Sequence, residues 1–184
     1  MTIDRAVEGE GYSAPAKWIH WIMAVCILVT IPVGIAMVRL ESGPLQNQLF
    51  DLHRSLGFVI LVLAVIRVIV RWSLGAPAPY PGLTPFQRVA SNVAHKLLYV
   101  LIFVMPLLGW AGTSAFGAPI HVFGLFELPP LLAKDEALSK VLLGLHTYTA
   151  FFMVAVLGAH IGGALMHALI LRDGVIWRML PSWR

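Results

Sequence analysis

The stretch VLLGLHTYTAFFMVAVLGAHIGGALMHALIL, residues 141–171, decides the architecture of this chain. It holds no Asp, Glu, Lys or Arg, and it is longer than the roughly 20 residues a helix needs to cross a bilayer. It carries His146, His160 and His167. His160 follows His146 by fourteen residues, which is close to four helical turns and about 21 Å of rise. Both imidazoles therefore share one face at two depths, and His167, seven residues on, returns nearly to that face. An ionisable side chain inside a membrane span is expensive and points to function.

The rest of the chain has the same character. Of 184 residues, 59% are hydrophobic and 12% charged, with a mean hydropathy of +0.83. A soluble domain would be about half apolar and about a quarter charged. The net charge of +4 reads as positive loops at a membrane face, and nucleic-acid binding is excluded. The single cysteine, Cys26, excludes an internal disulfide and a CxxCH attachment site for c-type haem. Polar, partly acidic sequence precedes the first apolar run and no A-x-A pattern follows it, so that run is read as a permanent span.

Four spans are predicted near 16–38, 52–73, 91–112 and 141–171, within a single domain covering 1–184. The fold class is thus all-α, an integral membrane four-helix bundle. Pro32 and Pro106 fall inside spans, where membrane helices tolerate a kink. The stretch 74–88 is rich in Pro and Gly and cannot be helical throughout. The longest loop, 113–140, contains His121. With four spans, one side holds Arg5, Lys17, Arg67, Arg71, Arg88, Lys96, Arg172, Arg178 and Arg184, and the other only Arg39, Arg54, Lys134 and Lys140. The positive-inside rule then puts both termini in the cytoplasm.

This topology sorts the histidines. His20 and His95 begin their spans on the inner side, and His53 and His146 lie near the outer interface on different helices. Imidazole is a common ligand for haem iron and other metals. Zinc or non-haem iron sites would add carboxylates or thiolates, and no Asp or Glu lies well inside a span. Histidine pairs in an apolar bundle favour bis-histidine haem b, at two stacked positions. For the outer site, spacing selects His53 with His146. For the inner site, His20, His95, His160 and His167 compete for two places, and depth alone matches His95 or His167 to His20 at least as well as His160.

Secondary features have two readings each. Gly57, Gly158, Gly162 and Gly163 would let a flat macrocycle or a neighbouring backbone approach, and small-residue helix packing accounts for each equally well. Arg54, Arg67 and Arg71 could pair haem propionates, while interfacial snorkelling explains Arg67 and Arg71 without chemistry. Trp18, Trp21, Trp72 and Trp110 near span ends form the expected aromatic belts.

Four passages together carry a family resemblance: IHWIMA at 19–24, LHRSLGFVILVLAVIRVIVR at 52–71, AHKLLYVLIFVMPLLGW at 94–110, and LHTYTAFFMVAVLGAHIGGALMHALILRDGVIWRMLPSW at 145–183. The chain from Ala16 to Pro181 resembles the bacterial cytochrome b561 family of four-helix di-haem membrane cytochromes. The resemblance implies two haem b groups, the inner one ligated by His20 and His160 and the outer one by His53 and His146. It further implies an oxidoreductase of the bacterial inner membrane that oxidises superoxide at the outer face and reduces ubiquinone. Arg39, Arg54, Lys134 and Lys140 are the outer cations that could steer an anionic donor. His95, Lys96 and His167, left free by that ligand set, are the expected quinone contacts. Two other roles remain open: a cytochrome subunit passing electrons between a periplasmic dehydrogenase and the quinone pool, and a small transporter whose histidines bind no haem.

Overall fold

The computed structural model describes residues 11–181. Helix α1 spans Ala14–Met37, α2 Pro44–Leu74, α3 Pro85–Phe116 and α4 Glu136–Leu165. A two-stranded antiparallel hairpin, β1 His121–Val122 and β2 Phe126–Glu127, interrupts the α3–α4 connection. Beyond α4 the chain continues as a π-helical turn, Met166–Leu171, and a 3-10 turn, Val175–Arg178. Each of the four helices is long and apolar enough to cross a membrane, and together they form the four-helix membrane bundle. Arg5 and Arg184, counted above for the inner side, lie outside the described residues.

Helix boundaries differ from the apolar runs for a local reason. α2 begins at Pro44 rather than near 52, and α3 at Pro85 rather than 91. Proline at the first helical position loses no hydrogen bond and has φ already set. At α3 a capping box adds to this: Gln87 N donates to Thr84 Oγ1 at 3.3 Å, and Thr84 N donates to Gln87 Oε1 at 2.9 Å. α3 ends at Gly117, whose φ of 86° is open to glycine at little cost. At 31 and 32 residues, α2 and α3 are about 46–48 Å long against a hydrocarbon thickness of about 30 Å. Their first turns are polar extensions that a hydropathy window cannot see.

α1 packs on α2 and α3 on α4, with α2 and α3 joining the two pairs. Lipid tails are as apolar as the core, so helices associate through close packing and hydrogen bonds. The core is Met23 and Ile27 of α1, Ile60 and Ala64 of α2, Leu101 and Ile102 of α3, and Met153 and Val156 of α4. It forms a plug at mid-bundle, with two residues from each helix. The end where α1 begins is called proximal here and the opposite end distal. C-terminal residues close the proximal end. Tyr12 N donates to Arg178 O at 3.0 Å and Trp21 Nε1 to Met179 O at 2.9 Å. Arg178 Nη2 donates to Ala78 O at 2.7 Å and Tyr80 Oη to Asp173 O at 2.6 Å.

Near the distal end Ser139, 2% exposed, donates to Gly112 O at 2.9 Å. A Cβ on Gly112 would lie 2.7 Å from Cδ2 and 2.9 Å from Cγ of Leu143. Gly112→Ala therefore forces α3 and α4 apart. The expected loss is about 1–3 kcal/mol, the usual range for overpacking, read as a lowered thermal midpoint of the detergent-solubilised protein. An unchanged midpoint would mean the contact relaxes freely.

Candidate functional site: imidazoles at two levels

At the distal level His53 of α2 faces His146 of α4, with ring centroids 6.0 Å apart and planes at 77°. Each ring is tied to the backbone of its packing partner. His53 Nδ1 lies 3.2 Å from Thr30 O of α1, and His146 Nδ1 lies 3.0 Å from Met105 O of α3. A carbonyl can only accept, so Nδ1 carries the proton and donates. Nε2 of each ring is then left with its lone pair, the form that ligates metals.

Both contacts use one construction. Gly34 follows Thr30 by four residues and Gly109 follows Met105 by four, so each carbonyl and glycine share a face. A Cβ on Gly34 would lie 2.8 Å from Cε1 and 3.1 Å from Nδ1 of His53. On Gly109 it would lie 3.3 Å and 3.4 Å from Cε1 and Nδ1 of His146. Pro32 and Pro106 fall within the same two stretches, where an intrahelical proline bends the helix.

At the proximal level three imidazoles meet. His20 of α1 and His160 of α4 have centroids 6.2 Å apart and planes at 84°. His95 of α3 is nearer to His160, at 5.2 Å, and its Nδ1 lies 3.3 Å from Ser91 Oγ. Spacing separates these pairs. Two imidazoles binding one metal from opposite sides have centroids about 6.4 Å apart, given metal–nitrogen bonds of about 2.0–2.1 Å and a ring radius of about 1.2 Å. The 6.0 and 6.2 Å pairs lie nearer this spacing than the 5.2 Å pair does.

Arg67 of α2 completes the proximal level, fourteen residues after His53 just as His160 follows His146. It lies within electrostatic reach of His20, His95 and His160. Its guanidinium stacks on Tyr99 at 5.6 Å, and Arg71 approaches the same ring at 5.9 Å. Arg67 Nη1 is buried and has no hydrogen-bond partner. A desolvated guanidinium nitrogen without a partner is costly, by about 1–3 kcal/mol or more, and an anion such as a haem propionate would satisfy it. That nitrogen does not reach solvent, although Arg67 as a whole is half-buried.

The remaining candidates separate clearly. His167 is buried on the π-helical turn with Nδ1 2.6 Å from Asp173 Oδ2, and Asp173 Oδ1 accepts Val175 N at 3.2 Å. It stabilises the chain reversal rather than joining the three rings. Lys96 is exposed. Arg54 lies 3.6 Å from Asp51 Oδ1 and over the Phe50 ring at 5.3 Å. His121 is in β1, opposite Glu127, and not in an irregular loop. At Gly57, Gly158, Gly162 and Gly163 a Cβ would meet nothing within 4 Å, so close backbone packing is not their role. Among the described residues no three His, Cys, Asp or Glu side chains form a metal-binding group of the zinc type. Sequence reasoning missed Thr30, Gly34, Met105 and Gly109; the available signal was a proline with a glycine two or three residues later inside an apolar run, once in α1 and once in α3.

A four-helix membrane bundle with opposed imidazoles at two depths is the framework of a membrane cytochrome b. The chain belongs to the prokaryotic cytochrome b561 family, whose model matches residues 11–182. It is similar to cytochrome b561 homolog 2 of Escherichia coli K12, 32% identical over 172 residues, covering 93% of this chain and 92% of that protein. It is 29% identical over 181 residues to cytochrome b562 of Cereibacter sphaeroides, covering 94% and 97%. It is 27% identical over 173 residues to a Yersinia pestis protein named probable superoxide oxidase CybB, covering 94% and 97%. This is a prokaryotic membrane electron-transfer protein of a family that binds b-type haem.

Gly34→Ala should displace the His53 ring and break its bond to Thr30 O while leaving the helices paired. The expected result is a shifted absorption band or electron paramagnetic resonance signal of the bound haem. An unaltered spectrum would show that the ring does not depend on this contact.

Proposed function

We propose that this chain is a di-haem cytochrome that oxidises superoxide at its distal face and reduces ubiquinone in the bacterial inner membrane. His53 and His146 would hold the distal haem, and His20 and His160 the proximal one. The observation that carries the ligand assignment is the pair of centroid spacings, 6.0 and 6.2 Å, each suited to opposed imidazoles. The proximal end faces the cytoplasm, supported by the excess of Lys and Arg at that end.

Bound haem supplies reversible one-electron chemistry, tuned by its axial ligands and their hydrogen bonds. The residues of the chain do the rest. Thr30 and Met105 carbonyls fix the tautomer and aim of the distal imidazoles. The apolar plug around Met153 and Val156 keeps water from the space between the levels. Arg67, with Arg71 and Tyr99 beside it, would hold propionate charge at the proximal level. Each superoxide anion loses one electron and leaves as dioxygen, and ubiquinone takes up two electrons and two protons. His95, Lys96 and His167 are the polar groups offered to quinone at the proximal end. Arg39, Lys134 and Lys140 offer positive charge to an anionic donor, whereas Arg54 is partly neutralised by Asp51. The name of the Yersinia relative supports the superoxide reading.

His53→Ala, His146→Ala, His20→Ala and His160→Ala should each leave one haem per chain, measured as pyridine haemochrome per mole of protein. His95→Ala and His167→Ala should retain both. Two haems in any of the first four variants would refute that ligand assignment. Purified protein in lipid vesicles should reduce ubiquinone when superoxide is generated outside. Absence of that activity, together with a stoichiometric periplasmic dehydrogenase on purification, would transfer the electron-donor role to that partner. Replacing His95, Lys96 or His167 should slow ubiquinone reduction by the pre-reduced protein; unchanged rates in all three would place the quinone elsewhere.

A further inference from the structure

The hairpin between α3 and α4 is built around a polar anchor and ends in an apolar tip. Ser55 of α2, 1% exposed, is the anchor. Its Oγ accepts Phe123 N at 2.9 Å and donates to Asp51 O at 2.7 Å, with His121 O at 3.3 Å. Behind it Ile120, Val122 and Leu128 pack with Phe58 and Trp110 into a small core separate from the mid-bundle plug. The reversal is tight: Leu125 N donates to Val122 O at 2.9 Å, and Phe123 and Gly124 take φ of 50° and 71°. A left-handed conformation is uncommon for an aromatic residue and persists only where its surroundings impose it. Here it leaves the Phe123 ring outside the small core.

The tip has no charge. Phe123, Leu125 and Phe126 are 52%, 80% and 49% exposed, while the polar pair His121 and Glu127 sits at the outer end of the strands. Three large apolar side chains side by side on a rigid turn form a patch that needs an occupant. The position of the anchor on α2 identifies it. Before Ser55, α2 carries Gln46, Asn47, Gln48, Asp51 and Arg54; after it runs LGFVILVLAVI, without a charge. The hairpin is therefore pinned where α2 passes from water into hydrocarbon. Phe126 meets Phe58, the first aromatic residue of that run, at 5.9 Å, so the tip lies at the depth where the apolar run of α2 begins. Trp110, also in contact with Phe58 and donating to Pro129 O at 3.1 Å, is the kind of residue that marks this depth.

We propose that the 121–127 hairpin is a lipid anchor, with Phe123, Leu125 and Phe126 seated in the distal leaflet at the boundary between headgroups and acyl chains. Amphipathic segments bind there through apolar side chains with the polar part left in water. Ser55 then clamps the distal half of α2, two residues from His53, to a segment held by lipid.

The test places an environment-sensitive fluorophore on Leu125→Cys in a Cys26→Ala background, with Glu127→Cys as the companion site. The full chain is reconstituted in phosphatidylcholine–phosphatidylglycerol vesicles. Brominated acyl chains should quench the label at 125 several-fold more than the label at 127, and aqueous iodide should show the reverse order. Adding Ser55→Ala should weaken bromolipid quenching at 125. Equal iodide quenching at both sites, or no bromolipid effect at 125, would overturn the proposal. Protection of 125 only when a soluble protein is added would overturn it too, by assigning the tip to that protein. The label needs no haem signal, so this result and the ligand assignment fail independently.

Discussion

An imidazole in hydrocarbon must place its N–H on an acceptor, and at the distal level of this bundle the acceptor is the backbone of the packing partner. The bonds from His53 to Thr30 O and from His146 to Met105 O fix more than two rings. They favour a glycine four residues further on: a Cβ on Gly34 would clash with its ring, and one on Gly109 would press closely on its ring. They require α1 against α2 and α3 against α4 in one axial register. They also decide which nitrogen is left for a metal. Each such bond has a modest net worth, about 0.5–1.5 kcal/mol, but the alternative in lipid is an unpartnered donor. Register and tautomer are set by the same contact.

The two levels are built differently. The distal one is symmetric, with one imidazole from each helical pair and a carbonyl behind each. The proximal one draws on all four helices: His20, Arg67, His95 and His160 come from α1, α2, α3 and α4 in order. α2 places an arginine at the depth where α4 places its second histidine. A buried guanidinium nitrogen without a hydrogen-bond partner and a third imidazole make this level the more polar of the two. Between the levels every core residue lies, on its own helix, between the two site positions. The plug separates the sites and also sets the helix spacing that lets both pairs of rings oppose.

Both ends are closed by segments outside the spans. The proximal closure runs through Asp173, which receives His167 and the backbone of Val175, and through Arg178 and Met179, which reach Ala78 and Trp21. The π-helical turn before it shifts the register of the last turn, so α4 overshoots without carrying His167 to the ring cluster. The distal closure is the hairpin hung on Ser55. Neither segment is apolar enough to register as a span, yet they hold the helices where a bilayer alone would let them slide.

The sequence by itself determined the class, the number of spans, the two-level placement of histidines on α4 and the pairing of His53 with His146. These follow from one-dimensional quantities: run length against bilayer thickness, and fourteen residues against four helical turns. Helix starts at Pro44 and Pro85 were legible as capping chemistry but hidden from hydropathy, because polar first turns lie outside the apolar runs. Sequence could not choose among His20, His95, His160 and His167, since depth along a helix says nothing about rotation or about how far each helix overshoots. Tertiary structure places the His20 ring 6.2 Å and the His95 ring 5.2 Å from His160, and pairs His167 with Asp173. It also supplied Thr30, Gly34, Met105 and Gly109, which act only through a ring on another helix. Which residue meets which across two helices depends on their relative rotation and register, and packing alone fixes those.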